Sequence, residues 1–128
     1  MEIVKSKNDK GIVELNIGAD IDDSNVVSGK IELDIENQAY FVDMVNSIFD
    51  EGVEDVILNM ELVSYIDSSG LWALFEGHKK ASQKNGRIIL ANPTRDVKRV
   101  LDITKMSSKI LIFESLIEAR SYIQENPS

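Results

Sequence analysis

The stretch DVILNMELVSYIDSSGL, residues 55–71, decides the fold because it passes from a strand to a helix within a few residues. Its first part, Val56 to Met60, is a short apolar run of the kind that forms a buried strand. The chain then reaches a turn at Asp67-Ser68-Ser69-Gly70, and a helix starts at about Ser69 and stops at Asn85-Gly86. The apolar face of this helix carries Leu71, Leu74, Phe75 and His78.

The same alternation continues toward the C-terminus. Arg87 to Ala91 predicts another buried strand, Pro93-Thr94 opens a helix, and Ile110 to Phe113 predicts a third strand. The last helix begins with a capping box of Ser115 and Glu118, in which the hydroxyl and the carboxylate each bind one free backbone N–H. Strand and helix units of this size imply right-handed crossovers and neighbouring parallel strands.

An amphipathic helix precedes the deciding stretch. From Asp34, which can cap it, apolar residues recur at spacings of three and four until Gly52 stops the helix. The positions that form this apolar stripe are Phe41, Met44, Val45, Ile48 and Phe49.

The N-terminal part of the chain is predicted to be β-rich. Residues 2–4 and 12–17 form the two strands of a hairpin around a turn at 7–11. Residues 18–25 are acidic and turn-prone, and 26–31 form either a further short strand or a continuation of the second one. The sequence therefore predicts one α/β domain over residues 1–128, with a hairpin on one side of the sheet.

Composition narrows the classes of function. The 128 residues contain no cysteine, which excludes disulfides, thiolate metal sites and thiol nucleophiles. A formal net charge of −8 argues against a nucleic-acid partner, because phosphate recognition depends on Lys and Arg. No stretch is apolar for long enough to cross a bilayer, and the N-terminus lacks the apolar core of a signal peptide. We expect a cytoplasmic protein without membrane insertion.

Catalytic, metal and cofactor chemistry is not indicated. The only histidine, His78, lies on a helix face that packs toward the core, which makes it a poor candidate for acid or base catalysis. Asp20, Asp22 and Ser24 alternate as calcium ligands do, but the glycine and the closing glutamate of a calcium loop are missing. We expect no enzyme activity, no metal and no cofactor.

The turn before the central helix is the one motif that carries chemistry. Ser68 and Ser69 place two hydroxyls where a strand meets a helix, a position at which a hydroxyl caps free N–H groups and an anion is favoured by the helix dipole. Two interpretations follow from the residues alone: a helix cap, or a site for reversible phosphorylation.

In these residues the chain resembles the STAS domains, and within them the anti-sigma factor antagonists of bacterial partner switching. The likeness covers roughly residues 30–123, and the junction from strand to Asp-Ser-Ser-Gly-Leu is its most specific part. The matching segments are residues 56–60, 63–71, 86–90 and 97–101. The resemblance implies a mixed sheet with about four helices, packed mainly on one face.

The resemblance also implies a mechanism. Ser68 is the expected phosphate acceptor, with Ser69 as the alternative acceptor and the expected helix cap. Unphosphorylated, such a protein binds an anti-sigma factor that is also a serine kinase and so releases a sigma factor. A metal-dependent serine phosphatase restores that form, and ATP and magnesium belong to the kinase. The implied partner-binding residues are Asp67, Ser68, Ser69, Gly70 and Trp72.

Some roles at this turn stay open. Asp67 either orients the Ser68 hydroxyl or holds the turn, and Gly70 either admits a partner backbone or is a plain turn glycine. Trp72 stands where family members often carry a small residue, and we expect it to project beside Ser68 as a binding anchor. The acidic segment 18–28 is longer than the usual lead-in of the family.

Two other functions compete with the switch. A non-switching STAS scaffold or a subunit of a transport system would share the fold and the Asp67-Ser68 turn. An enzyme is the third, and it is disfavoured because Ser68 has no activating histidine in plausible reach.

Overall fold

The computed structural model describes residues 3–7, 11–17, 20–21, 27–28, 31–33 and 38–127. Strands and helices alternate along most of this length, as the sequence predicts. In chain order they are β1 (Ile3–Lys7), β2 (Val13–Ile17), β3 (Asp20–Ile21), β4 (Val27–Ser28), β5 (Ile31–Leu33), α1 (Gln38–Asp50), β6 (Asp55–Asn59), β7 (Val63–Ile66), α2 (Ser68–Gln83), β8 (Arg87–Ala91), α3 (Arg95–Ile103), a 3-10 turn (Met106–Ser108), β9 (Leu111–Phe113) and α4 (Leu116–Glu125).

A mixed sheet of five strands, in the order β1-β2-β6-β8-β9, forms the centre of the fold. β1 and β2 are the predicted antiparallel hairpin, with Ile3 opposite Ile17. The neighbours β2 and β6, β6 and β8, and β8 and β9 are all parallel. Each of these parallel connections contains a helix, because the chain must cross back over the sheet before it can start the next parallel strand.

Helices cover both faces of this sheet, with three on one side and one on the other. The side chains buried between the sheet and α1, α2 and α3 include Val56, Leu58, Val45, Leu74 and Leu101. Those buried between the sheet and α4 include Ile57, Ile89, Ala119 and Ile123. Because both faces are covered, β6 and β8 are apolar at consecutive positions instead of at every second one. The expected packing of helices mainly on one face is confirmed.

The end of α2 is a Schellman motif at the predicted stop. Asn85 adopts a left-handed backbone with φ of 59°. Its N–H donates to the Ser82 carbonyl at 3.2 Å, and the Gly86 N–H donates to the Ala81 carbonyl at 2.8 Å. A Cβ on Gly86 would lie 2.6 Å from the Glu54 carbonyl oxygen. Gly86 is therefore required because the start of β8 runs so close to the chain before β6.

Helices α3 and α4 each start with a side chain that caps their first turn. The Thr94 hydroxyl accepts the Val97 N–H at 3.3 Å. The Ser115 hydroxyl accepts the Glu118 N–H at 3.1 Å, which is the serine half of the predicted capping box. Asp34, the expected cap of α1, lies outside the described residues.

Short strands follow the hairpin. β3 and β4 pair with each other antiparallel, and β5 pairs parallel with β7. Residues 27–28 and 31–33 therefore form strands of their own, and the alternative that they continue β2 is wrong. β3 lies within the segment that the sequence predicts to be an acidic turn.

Candidate functional site

The junction between β7 and α2 is held by Asp67. Its backbone is extended, and its Oδ1 accepts the Gly70 N–H at 2.9 Å, so Asp67 is the N-cap of α2. The helix consequently begins at Ser68, within one residue of the predicted start, and the expectation that Ser69 is its cap is wrong. A carboxylate binds an N–H more strongly than a hydroxyl does, and Asp67 sits one residue before the helix, where a side chain can accept the N–H groups of the first turn. Of the two roles open for Asp67, this bond supports holding the turn.

Ser68 is the first residue of α2, and it is exposed, whereas Ser69 is half-buried. Free backbone N–H groups and the positive end of the helix dipole meet at the first turn of a helix. An anion on Ser68 would therefore be electrostatically compatible with this end of α2. The cap bond from Asp67 leaves the Ser68 hydroxyl free of that structural task.

Gly70 is buried, and its N–H is used by the cap. It is the third residue of α2 and does not have a positive φ, so its backbone conformation does not by itself require a glycine. Gly70 therefore belongs to the frame that presents Ser68 and contributes little surface of its own.

Trp72 lies one helical turn after Ser68, so the two side chains leave α2 on the same side. The next two residues, Ala73 and Leu74, are buried in the core, while Trp72 keeps 49% of its surface exposed. Trp72 thus lies on the same side of α2 as Ser68 and largely outside the core.

Tyr65 is a second exposed aromatic residue at this end of the molecule, and nothing in the sequence pattern singles it out. It is 51% exposed. Simple alternation would put Tyr65 on the same side as Val63, which is buried. The pairing of β5 with β7 shifts register between Ile31 and Glu32, so that Ser64 is an extra residue on β7. The bulge turns both Ser64 and Tyr65 outward. A bulge cannot be predicted from the alternation of apolar and polar residues, so the sequence did not indicate that Tyr65 is exposed.

Tyr40, in the first turn of α1, is also exposed, at 48%. Helices α1 and α2 run side by side in the same direction. Their parallel course is seen from Asp50, at the end of α1, which forms ion pairs with Lys80 and Lys84 near the end of α2. Their first turns therefore lie at the same end, and Tyr40 is at the level of Trp72. The only sequence signal for Tyr40 as a surface residue is that it comes directly before the predicted apolar stripe of α1.

Among the residues that the structure describes, other chemistry is not apparent. His78 lies half-buried on α2. Within the described ranges, three or more potential ligands do not cluster in a way that would hold a metal ion. No helix in the described part of the chain has the length and apolar character needed to cross a membrane. The arrangement at the start of α2 is therefore the candidate site: an accessible hydroxyl, a carboxylate-capped helix start and exposed aromatic rings.

Comparison with known proteins identifies the family of this chain. The model of the STAS domain family matches residues 7–119. A candidate anti-sigma factor antagonist of Thermotoga neapolitana is 29% identical over 105 residues, which cover 81% of this chain and 93% of that protein.

Solved structures show the same fold. The crystal structure of a candidate anti-sigma factor antagonist from Thermotoga maritima has a TM-score of 0.78 at 24% identity, over 95% of this chain and 94% of that one. The anti-sigma factor antagonist SpoIIAA in its unphosphorylated form has a TM-score of 0.75 at 18% identity, over 99% of this chain and 100% of that one. A sulfate transporter family protein from Wolinella succinogenes and a murine anion transporter are also similar, with TM-scores of 0.65 and 0.71.

Proposed function

We propose that this chain, which belongs to the STAS domain family, is an anti-sigma factor antagonist whose activity is switched by phosphorylation of Ser68. In its unphosphorylated form it binds an anti-sigma factor that is also a serine kinase, and this binding releases a sigma factor. Phosphorylation of Ser68 ends the binding. We extend the proposal to the whole of residues 1–128 as one such domain, acting in the cytoplasm without a cofactor of its own.

The observation that carries the proposal is that the cap and the exposed hydroxyl at the start of α2 belong to two different residues. Asp67 caps the helix through the Gly70 N–H at 2.9 Å, and the neighbouring Ser68 stays exposed. A serine that is exposed and not needed as a cap can enter a kinase active site and can be modified without loss of a structural bond. Ser69, which is half-buried, is the alternative acceptor.

The switch follows from the charge that a phosphate adds. In the free protein, a charge of about −2 on Ser68 remains hydrated and is favoured by the α2 dipole, so the fold tolerates it. In a complex, the same charge is covered by the partner and loses its water. It also lies next to the Asp67 carboxylate in a chain with a net charge of −8. We therefore expect phosphorylation to weaken the complex without unfolding the domain.

The chemistry of the cycle belongs to the partners. The kinase transfers the γ-phosphoryl group of ATP to the Ser68 Oγ, which loses its proton, and ADP leaves. The metal-dependent phosphatase hydrolyses the phosphoserine to serine and inorganic phosphate. This chain supplies only the hydroxyl, and the acidic net charge makes a direct nucleic-acid partner unfavourable.

Affinity capture from a lysate of the native host tests the proposal. The baits are wild type, Ser68→Ala, Ser68→Asp and Ser121→Asp, the last being a matched charge change at an exposed serine on α4. We expect wild type, Ser68→Ala and Ser121→Asp to retain an anti-sigma factor with a serine-kinase domain, and Ser68→Asp to lose it. With ATP, mass spectrometry should find one phosphate on the Ser68 peptide of wild type and none on Ser68→Ala.

A non-switching scaffold or transport-system subunit is the second candidate, and the similarity to transporter structures favours it over an enzyme. In that case wild type and Ser68→Asp would retain the same partners, with a transport protein among them, and Ser68 would remain unmodified in the presence of ATP.

A further inference from the structure

A stripe of side chains runs along α2 from the proposed phosphorylation site. Ser68, Trp72, Phe75 and Lys79 are spaced by four, three and four residues, so they lie on one side of the helix. At a rise of 1.5 Å per residue the stripe is roughly 16 Å long. Trp72 and Lys79 are each about half exposed, and Phe75 is partly exposed. The surface around Ser68 therefore continues along the helix.

The far end of this stripe is an aromatic ring between two cations. The ammonium group of Lys79 lies 6.0 Å from the centre of the Phe75 ring, and that of Lys109 lies 5.5 Å from it. Lys109 comes from the loop before β9 and is exposed. Its backbone N–H donates to the Met106 carbonyl at 2.9 Å, a bond that closes the 3-10 turn, and Met106 itself packs against the core. Two separate elements thus place positive charge on one ring.

The two lysines differ in their remaining capacity to bind an anion. Lys79 is 3.2 Å from the carboxylate of Glu76 on the same helix. Lys109 has the Phe75 ring, and within the described ranges no carboxylate lies within 4.0 Å of its ammonium group. A cation over an exposed ring still keeps most of its hydration and its charge. In a chain with a net charge of −8, Lys109 is therefore a local positive charge that can still pair with a carboxylate of another molecule.

We propose that the partner-binding surface extends along α2 to Phe75 and Lys109, and that this end receives an aspartate or glutamate of the anti-sigma factor. The inference rests on the proposed function, because continuity with Ser68 and Trp72 identifies the occupant as the same partner. The acidic side chain binds the Lys109 ammonium, and its aliphatic part packs on the Phe75 ring. Complementary charge is the argument for this occupant.

The two ends of the stripe are far enough apart to act separately. Phe75 is seven residues from Ser68, or about 10 Å along the helix. Substitutions more than about 7–10 Å apart that share no contact partner usually have additive effects on free energy. The Lys109 contact and the Ser68 charge should therefore change the affinity independently, and their effects in a double variant should multiply.

Binding measurements with the purified anti-sigma factor obtained by the capture experiment test the inference. Lys109→Glu should raise the Kd about tenfold or more at 50 mM salt and less at 300 mM salt. The matched control is Lys7→Glu, an exposed lysine on β1, which should bind within about twofold of wild type. Phe75→Leu should weaken binding less than Lys109→Glu, because leucine still offers an apolar surface for the aliphatic part of the acidic side chain. Melting curves check that each variant is folded.

Carbodiimide cross-linking locates the contact directly, because it joins a lysine amine to a carboxylate that it touches. We expect a peptide that links Lys109 to an aspartate or glutamate of the anti-sigma factor, and its absence when Ser68→Asp replaces wild type. If wild type binds and Ser68→Asp does not, while Lys109→Glu binds like wild type and no cross-link forms, the proposed function stands and this inference is overturned.

Two further outcomes would also overturn it. Failure of wild type to bind any anti-sigma factor removes the proposed function and this inference with it. A dimer of this chain in sedimentation velocity that Lys109→Glu dissociates would show that the occupant is a second copy.

Discussion

At the residue scale, Asp67 caps α2 and leaves the neighbouring Ser68 available for the proposed phosphorylation. A hydroxyl that capped α2 and also accepted a phosphoryl group would lose its cap bond at each modification, at a cost of about 1 kcal/mol. Asp67 takes the Gly70 N–H, so the helix keeps its cap whether or not Ser68 is modified. The stability of the domain should therefore not depend on the state of the proposed switch.

Trp72 gives a prediction at the same scale. Its ring is half exposed, so truncation removes little buried surface from the core. In a complex, a tryptophan beside the central contact is the residue type that most often dominates affinity. Trp72→Ala should therefore weaken binding of the anti-sigma factor by about 2 kcal/mol or more. Its free energy of unfolding should change by less than about 1 kcal/mol. Calorimetric titration and chemical unfolding measure the two, and a larger loss in stability than in binding would show that Trp72 is a packing residue.

At the scale of elements, the parallel arrangement of α1 and α2 brings Tyr40 to the same end as Ser68. The pair is fixed by apolar contacts and by Asp50, which lies 3.0 Å from Lys80 and 3.5 Å from Lys84. A Cβ added to Gly77 would lie 3.1 Å from the Ile88 side chain, so α2 sits close to the sheet at that point. The position of the helix start, and with it that of Ser68, depends on this packing.

The link between the helices has a pH dependence. The hydrogen bond from Lys80 holds the pKa of Asp50 below its ordinary value of 3.8. Because the folded pKa is the lower one, the ion pair contributes stability above about pH 3.8, and this contribution is lost as the pH falls through the folded pKa. An NMR titration of the Asp50 carboxyl should give a midpoint below 3.8 in wild type and one closer to 3.8 in Lys80→Met.

Lys98→Met is the control for this titration, because Lys98 binds Asp102 and not Asp50. It should leave the Asp50 midpoint where it is in wild type. A wild-type midpoint at or above 3.8 would contradict the ion pair.

At the scale of the whole molecule, the two faces of the sheet have different tasks. The face with α1, α2 and α3 carries the candidate site, and the opposite face is closed by α4. An ion pair helps to fasten α4 there: Arg120 donates to both carboxylate oxygens of Glu14 on β2, and one of these bonds is 2.7 Å long. This hydrogen bonding with Glu14 raises the pKa of Arg120. Glu14 is the buried member of the pair.

Glu14→Gln should therefore lower stability and leave binding unchanged. It removes the charge that matches Arg120, and we expect a loss of about 1–3 kcal/mol in the free energy of unfolding. The affinity for the anti-sigma factor should stay within about twofold, since the partner is proposed to meet the other face. Glu51→Gln is the matched control, because its pair with Lys5 is exposed and long, at 3.7 Å, and should contribute less than about 1 kcal/mol. An affinity loss in Glu14→Gln would place part of the interface on the α4 side.

The sequence by itself determined the fold class and the order of elements outside the short strands β3 to β5, and it indicated the candidate segment. Apolar runs and spacings of three and four residues are local properties, so the individual strands and helices and the stop at Asn85-Gly86 follow from neighbouring residues. The alternation of strand and helix then implies that neighbouring strands are parallel. The motif at residues 66–71 likewise identifies the start of α2 as the place of interest, because all of its residues lie in one short segment.

Tertiary structure alone decided which side chain caps α2 and which side chains are exposed or in contact near its start. Asp67, Ser68 and Ser69 are all able to cap a helix, and only the backbone geometry assigns the cap to Asp67. Tyr65 faces outward because β5 pairs with β7 across a bulge, and Lys109 reaches Phe75 because a loop 34 residues later in the chain packs against α2. These facts depend on register and on contacts between distant segments. Local pattern cannot specify them, because a one-residue shift in a strand exchanges its two faces.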